Sequence, residues 1–418
     1  MIFNFNKTNS REWFLIVCWA LYDLANQFFA LNVISVYFPR WLTLEKGAPE
    51  IFYSVAFAAS MIIVGICAPL AGTISDIQRR KKIYLIIFTL LSVVFTLVLG
   101  FIDNVYLALV CFVVANFGCQ IAIVFYNALM VDIAPSERMG LVSGIGRMFA
   151  YAGAILALYW SKPIIIAYGY SSTFILTAAA FFLFALPAMI FLKEESSPAA
   201  KSLRSLLNRG TVIKIYVKIR QAFAGDTQFK EIRLFLLAFF FCLCALQTMT
   251  LFMSIYASEV FGLGETQVID LIIYSTVFAV IGSVVSGALC DRFGNKNTMI
   301  GVFALWMLAL LGGAFLAPPF QWVLGAMIGF ALSSTWVVAR AWAVHLVPKE
   351  SIGEIFGLFN LVGYVAGVVG PLFWGMMTLW LASLGVWKYR LSLLSLTFFI
   401  ALAFYFLLKI PRGIRRNA

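Results

Sequence analysis

Twelve runs of apolar sequence, each near the roughly 20 residues a helix needs to cross a bilayer core, fall into two groups of six. They lie near residues 13–38, 51–71, 83–101, 104–134, 141–160 and 172–193, and again near 233–259, 266–288, 297–317, 321–346, 352–380 and 388–410. Hydrocarbon offers no partner to a backbone N–H or C=O, so open-chain runs of this length fold as helices. The predicted fold class is therefore an all-α polytopic membrane protein with twelve transmembrane helices in two six-helix bundles. Composition agrees, with 63% hydrophobic and 11% charged residues against about 45–50% and about 25% in soluble domains.

The two groups are related by sequence. Gly72-Thr73-Ile74-Ser75-Asp76 opens a basic turn ending in Arg79-Arg80-Lys81, and Gly287-Ala288-Leu289-Cys290-Asp291 opens another with Arg292 and Lys296, an offset of 287 − 72 = 215. A second pair, Pro135-Ser136-Glu137 running on to Gly140 and Gly144, returns as Pro348-Lys349-Glu350 running on to Gly353 and Gly357, at 348 − 135 = 213. Two motifs at nearly equal offset imply a duplicated architecture, a recurrent design of secondary transporters. The expected domains are 1–193, a cytoplasmic linker over 194–230, and 231–418. The linker carries Lys201, Arg204, Arg209, Lys214, Lys218 and Arg220. Its stretch Val212 to Phe223 suits either an interfacial amphipathic helix on anionic lipid or a solvated loop.

The formal net charge of +12 does not indicate nucleic acid, because the basic residues sit in the gaps between apolar runs, the positive-inside distribution. Lys7, Arg11, Arg79 to Lys82, Arg138, the linker, Arg292, Lys296, Lys349 and Arg412 to Arg416 fall on one side, which places both termini in the cytoplasm. The first run contains Asp23, Asn26 and Gln27 and is too long for a signal-peptide core, so it is expected to be retained. Seven scattered cysteines without C-x-x-C spacing and a single histidine argue against disulfides, metal and cofactors. The chain also lacks H-E-x-x-H and G-x-S-x-G, so an enzyme is not expected. The expected partners are the bilayer and a small-molecule substrate, and the chain is expected to work as a monomer.

Polar residues inside the runs are few. Helices 3, 6, 9 and 12 have almost no ionisable residue in their middles, whereas helices 1, 4, 5, 10 and 11 carry Asp23, Asn127, Arg147, Arg340 and Asn360. Intramembrane charge belongs in a protein interior or watered cavity, so the first set is expected on the outside of the bundles. Asp23 is a candidate proton-coupling acid or anchor for a cationic group, since burial favours its neutral form. The other reading is a structural carboxylate bonded to Asn26 or Gln27. Arg340, whose repeat mate is Asn127 (340 − 127 = 213), offers a fork suited to a carboxylate, or else it snorkels or pairs with Asp132. Together the two residues suggest a zwitterion such as an amino acid, its ammonium toward Asp23 and its carboxylate toward Arg340, beneath Tyr22 and Tyr126. Asp76 and Asp291 are read as gate residues that cap helix ends or pair with loop cations such as Arg80 and Arg292. Gly72 and Gly287 are expected to let helices approach closely. His345 is read as structural, and Glu259 and Asp270 as hydrated loop residues.

These segments resemble the major facilitator superfamily, whose inner loops bear G-x-x-x-D-R-x-G-R-[RK]. The second copy keeps Gly287, Asp291, Arg292 and Gly294, while the first has Ile77 and Arg79 where Arg and Gly are usual. Within it the chain is similar to the vacuole-effluxer-like permeases, through Tyr22-Asp23-Leu24-Ala25-Asn26, Phe125-Tyr126-Asn127, Asp132-Ile133-Ala134-Pro135, Gln247-Thr248 and Phe356-Gly357. The resemblance implies alternating-access, proton-coupled transport of a small polar or zwitterionic solute such as an amino acid, by symport, in a bacterial cytoplasmic (inner) membrane. Tyr22, Asp23, Asn26, Tyr126, Asn127, Gln247 and Arg340 would contact substrate or proton. Relatives carry an Asn-Asp pair where this chain has Leu243 and Cys244, and Arg147 replaces an apolar or aromatic residue. A lipid or drug exporter on the same fold is the rival reading.

Overall fold

The computed structural model describes residues 10–78, 81–133, 139–192, 230–316, 318–346 and 352–411. The sequence-predicted linker over 194–230, Val212 to Phe223 included, lies outside them except for its last residue, Lys230, which begins the seventh helix. Among the described residues the chain is helical, with twelve helices long and apolar enough to cross a membrane. In chain order they are α1 (Ser10–Glu45), α2 (Glu50–Gln78), α3 (Lys81–Leu99), α4 (Val105–Ile133), α5 (Met139–Tyr168) and α6 (Tyr170–Phe191), then α7 (Lys230–Phe261), α8 (Glu265–Phe293), α9 (Asn295–Phe315), α10 (Gln321–Leu346), α11 (Ile352–Trp380) and α12 (Trp387–Leu408). Each coincides with one predicted run.

Helix α1 is not regular. It is α-helical over Ser10–Phe28, widens to a π-helix over Phe29–Val36, tightens over Tyr37–Arg40 and widens again over Trp41–Glu45. Pro39 accounts for part of this, because proline lacks an N–H and its ring conflicts with the carbonyl four residues back. The wide segment holds Asn32, fully buried, whose Nδ2 donates to Ser161 Oγ at 2.9 Å and Thr177 Oγ1 at 2.8 Å. One amide thus ties α1 to α5 and α6.

The contacts group the chain into two units, Met1–Trp41 with Ile66–Ile215, and Leu42–Gly65 with Tyr216–Ala418. Helix α2 is divided, its first half packing with the C-terminal helices. In the N-terminal unit α1 lies against α5 along a seam of small residues. A Cβ on Gly153 would come 2.6 Å from the Leu24 carbonyl oxygen, and one on Gly146 would come 2.7 Å from the Trp19 ring. In the C-terminal unit α8 and α10 meet through Gly282 and Gly329, where an added Cβ would lie 2.6 Å and 1.9 Å from backbone oxygens of Phe330 and Ser275. Close backbone approach through small residues is how membrane helices gain packing without a hydrophobic drive.

Gly287 does not serve this purpose. A Cβ there would meet nothing within 4 Å, which overturns the expectation of a close approach at this signature glycine. The approach is made one and a half turns earlier on α8, at Gly282, whose Cα faces α10. Exposure also departs from the every-third-helix expectation. Only 28% of the apolar stretch of α8 is buried, less than in α3 (33%), α12 (39%) or α9 (50%). The reason is the apolar stripe Val277, Val280, Ile281, Val284 and Val285, which no neighbour covers.

One cation at a helix end is repeated in both units. Lys82, at the start of α3, donates to the Ile190 carbonyl at the end of α6, and Lys296, its mate at 296 − 82 = 214, donates to the Leu408 and Ile410 carbonyls at the end of α12. Cations complement the unpaired carbonyls of a helix C-terminus. Gly294, the glycine of the second signature, stands alone between α8 and α9 at φ 81° and ψ 155°, a region essentially reserved for glycine. It reverses the chain in a single residue.

Candidate functional site

Asp23 lies 23 − 10 = 13 residues into α1, about 20 Å along the axis at about 1.5 Å per residue, and is half-buried. Its carboxylate rests against α5, since a Cβ on Gly146 would sit 3.0 Å from Asp23 Oδ2. Any residue but glycine at 146 would push on both Asp23 and Trp19. The next residue, Arg147, and Asp23 both lie within electrostatic reach of the Tyr126 hydroxyl. An acid, a guanidinium and a phenol from α1, α5 and α4 thus gather in the N-terminal unit.

Behind them is an aromatic layer. Trp19, one turn before Asp23, stacks on Tyr126 with centroids 4.5 Å apart, and Tyr126 stacks on Tyr22 at 4.8 Å. The Trp19 indole N–H donates to the Tyr126 carbonyl at 3.2 Å, and the Tyr22 hydroxyl shares a hydrogen with Thr89 Oγ1 at 2.7 Å. Tyr22 and Tyr126 are almost fully buried, so in this conformation their faces are spent on each other. Asn26 is half-buried and accepts from the Cys119 thiol at 2.9 Å through its Oδ1. Asn127, next to Tyr126, is exposed.

The remaining predicted binding residues belong to the C-terminal unit. Arg340 is half-buried, its guanidinium carbon 5.8 Å from the centre of the Trp336 ring one turn earlier on α10. Trp336 packs edge-on against Phe239 and Phe359, which stack on each other at 4.1 Å. Gln247 is half-buried on α7. Leu243 and Cys244 are fully buried, and a Cβ on Gly370 of α11 would lie 2.2 Å from the Cys244 carbonyl oxygen. This stretch of α7 is a dry helix contact with no room for a hydrated acid, which fits the apolar pair found there.

The gating residues are only partly described. Gly72 and Asp76 lie in α2 with side chains outside the described residues, and Arg80 and the side chain of His345 lie outside them too. Asp291 and Arg292 are exposed at the end of α8, Arg292 over the Phe293 ring at 5.3 Å. The following helix α9 has Gly294 as its N-cap residue, which supplies no side-chain cap. In the N-terminal unit Lys81 binds both Asp132 oxygens at 3.1 and 3.0 Å and the Ala128 carbonyl at 3.0 Å. This gives Asp132 a cationic partner within its own unit.

Sequence reasoning left Trp19, Thr89, Gly146 and Arg147 out of the candidate site. A signal existed for two of them: Trp19 stands one turn from Asp23, and Arg147 is a cation within an apolar run. It also treated Glu259 as merely hydrated. Glu259 is exposed, but it lines a cleft of about 310 Å³ with Thr43, Glu50, Thr378, Lys388 and Tyr389.

Twelve apolar helices among the described residues, in two repeated sets, are the build of a solute transporter rather than an enzyme. The sequence model of the Major Facilitator Superfamily matches residues 25–371 and, in a second match, 236–418, and the chain belongs to that superfamily. It is an integral membrane protein and a secondary transporter. It is 27% identical over 383 residues to the uncharacterized MFS-type transporter YxiO of Bacillus subtilis, covering 85% of this chain and 86% of that one. It is 21% identical over 384 residues to a multi-drug resistance efflux pump PmrA homolog of Lactococcus lactis, covering 88% and 89%. Among solved structures it shares the fold of the nucleoside transporter NupG, with a TM-score of 0.72 and 14% identity over 96% of this chain and 100% of that one. It also shares the fold of a bacterial homolog of the human lysosomal transporter Spinster, with a TM-score of 0.71 and 15% identity over 96% and 97%.

Proposed function

We propose that the protein carries a small polar solute bearing an ammonium group, an amino acid in the simplest case, by alternating access with protons as the coupling ion. The observation that carries this reading is the Asp23 carboxylate, held well along α1 beside Gly146 and within reach of the same phenol as Arg147. A carboxylate at such depth is costly unless a cation, a proton or water meets it, and each of these is something a transporter moves. Asp23 takes the ammonium or the proton. Arg340, assigned on its chemistry alone, takes a carboxylate, and Asn26, Asn127 and Gln247 supply neutral hydrogen bonds.

The same reading places the chain in the vacuole-effluxer-like branch, in a bacterial inner membrane, as a monomer with both termini in the cytoplasm. It retains the division into residues 1–193, 194–230 and 231–418. A second reading, export of planar organic cations, is favoured by the Trp19, Tyr126 and Tyr22 stack and by full-length similarity to a protein named as a multi-drug efflux pump.

Uptake into proteoliposomes under an imposed pH gradient tests both. Labelled amino acids should accumulate with the parent, and Asp23→Asn and Arg340→Ala should each lower the rate about tenfold or more, the scale of one charged hydrogen bond. Equal rates in parent and both variants would end the amino-acid reading. Ethidium efflux that survives Arg340→Ala but not Asp23→Asn would move the assignment to the second.

A further inference from the structure

Helix α5 meets α1 along Gly146, Gly153 and Ala157, which share one face by their spacing and are all buried. Gly146 stands against the Asp23 carboxylate. The next residue, Arg147, is turned about 100° around the axis, so it sits at the edge of this seam and on the level of Asp23. It is exposed, although it lies within a span long and apolar enough to cross a membrane. Among the described residues Arg147 makes no hydrogen bond or ion pair. A guanidinium placed there calls for water or an anion beside it.

Its charge is directed toward α4. With Asp23 it reaches the Tyr126 hydroxyl, a buried oxygen that completes no hydrogen bond of full geometry. Asn127, beside Tyr126, is exposed, and Asn26, one turn along α1 from Asp23, is half-buried. The N-terminal unit by itself therefore gathers an acid, a cation and neutral hydrogen-bonding groups from three helices.

What such a set admits follows from sign. A solute carrying only a positive charge is drawn to Asp23 but repelled by Arg147, and one carrying only a negative charge meets the reverse. A solute with both charges on neighbouring atoms satisfies the two together. The guanidinium adds shape to sign, because its fork of donors matches the two oxygens of a carboxylate.

We propose that Arg147 is a specificity-determining residue, its guanidinium taking the solute's carboxylate while Asp23 takes the ammonium, so that the N-terminal unit selects zwitterions against simple amines. The inference rests on the amino-acid reading and deepens it, adding to the carboxylate role given there to Arg340. The same charge disfavours the organic cations of the second reading.

The test is equilibrium binding to the purified full-length protein in detergent, read by titration calorimetry. The common L-amino acids are the first probes, and the one that binds most tightly is compared with its amino alcohol, in which a hydroxymethyl group replaces the carboxylate and the ammonium is kept. The parent should prefer the amino acid by about tenfold or more, the scale of one charged hydrogen bond. Arg147→Met should lose most of that preference through weaker binding of the amino acid, with the amino alcohol bound as well as by the parent or better, which also shows the variant to be folded. Arg147→Lys should keep part of the preference. An undiminished preference in Arg147→Met, or equal weakening of both ligands in the two variants, would overturn the role of Arg147 and leave the amino-acid reading standing. A parent that binds no amino acid would end both.

Discussion

The two units descend from one repeat and keep the same helix order, but they hold their charge in different places. In the N-terminal unit Asp23 and Arg147 stand on α1 and α5, Asn32 ties three helices together, and Lys81 grips Asp132 where α3 begins. In the C-terminal unit the positions of α7 that match Asp23 are the apolar Leu236 to Ala238, and Leu243 and Cys244 further along α7 are fully buried, Cys244 against α11. Its cations are met by an aromatic ring at Arg340, by helix-end carbonyls at Lys296 and Arg390, and by Glu50 at Lys388. Duplication therefore preserved the helix-end cations Lys82 and Lys296, while each unit makes its close helix approaches with glycines at different positions and holds its charges by different partners.

The largest effect should come from forcing the chemistry of one unit onto the other. Leu243→Asp places an acid in the fully buried contact of α7 with α11. An uncompensated buried charge costs about 3–5 kcal/mol, and a thermal melt of the purified protein in detergent should show a drop of that order. Asp23→Asn should melt close to the parent while losing transport. If Leu243→Asp melts like the parent, the C-terminal unit is wetter than its packing implies and the comparison fails.

Backbone geometry gives the next effect. Gly294→Ala places a side chain at φ 81° and ψ 155°, at a cost of about 1–3 kcal/mol. Gly287→Ala, on the same helix and in the same signature, fills open space and removes a flexible residue from a helix, so it should be neutral or stabilising by up to about 1 kcal/mol. Unfolding of the two variants in a denaturant series would compare them. A large loss at Gly287 would restore it as a contact residue, and none at Gly294 would remove the reason for glycine in that turn.

The fold was legible because its cause is one-dimensional: twelve apolar runs, two motif pairs and their offset suffice to place twelve helices in two sets. Asp23 was legible for the same reason, as a charge where hydrocarbon tolerates few. Arg147 was visible as an oddity, yet its nearness to the Tyr126 phenol that Asp23 also reaches depends on how α5 is turned toward α1 and α4, which no spacing within α5 states. Glu50 was harder still. From the chain it is an acid beside a loop, and only the seating of α2 on α11 and α12 buries it. Gly287 misled because a signature glycine was assumed to mark a contact, whereas the contact falls at Gly282, where α8 faces α10.

The smallest effect concerns how the C-terminal unit holds its intramembrane cation. If the Trp336 ring contributes to holding Arg340, the two should be coupled by about 0.5–2 kcal/mol, the range for a cation over an aromatic face from exposed to desolvated sites. Trp336→Leu alone cannot show this, because Trp336 also packs on Phe239 and Phe359 and its loss removes that packing as well. A double-mutant cycle with Trp336→Leu, Arg340→Met and the pair, read as unfolding free energy, cancels the packing part and leaves the coupling. Coupling in this range means the C-terminal unit stabilises charge with a ring where the N-terminal unit uses a carboxylate and a phenol. Additive losses would mean that Arg340 is held by its other contacts, and the contrast between the units would then rest on Asp23 and the dry α7 contact alone.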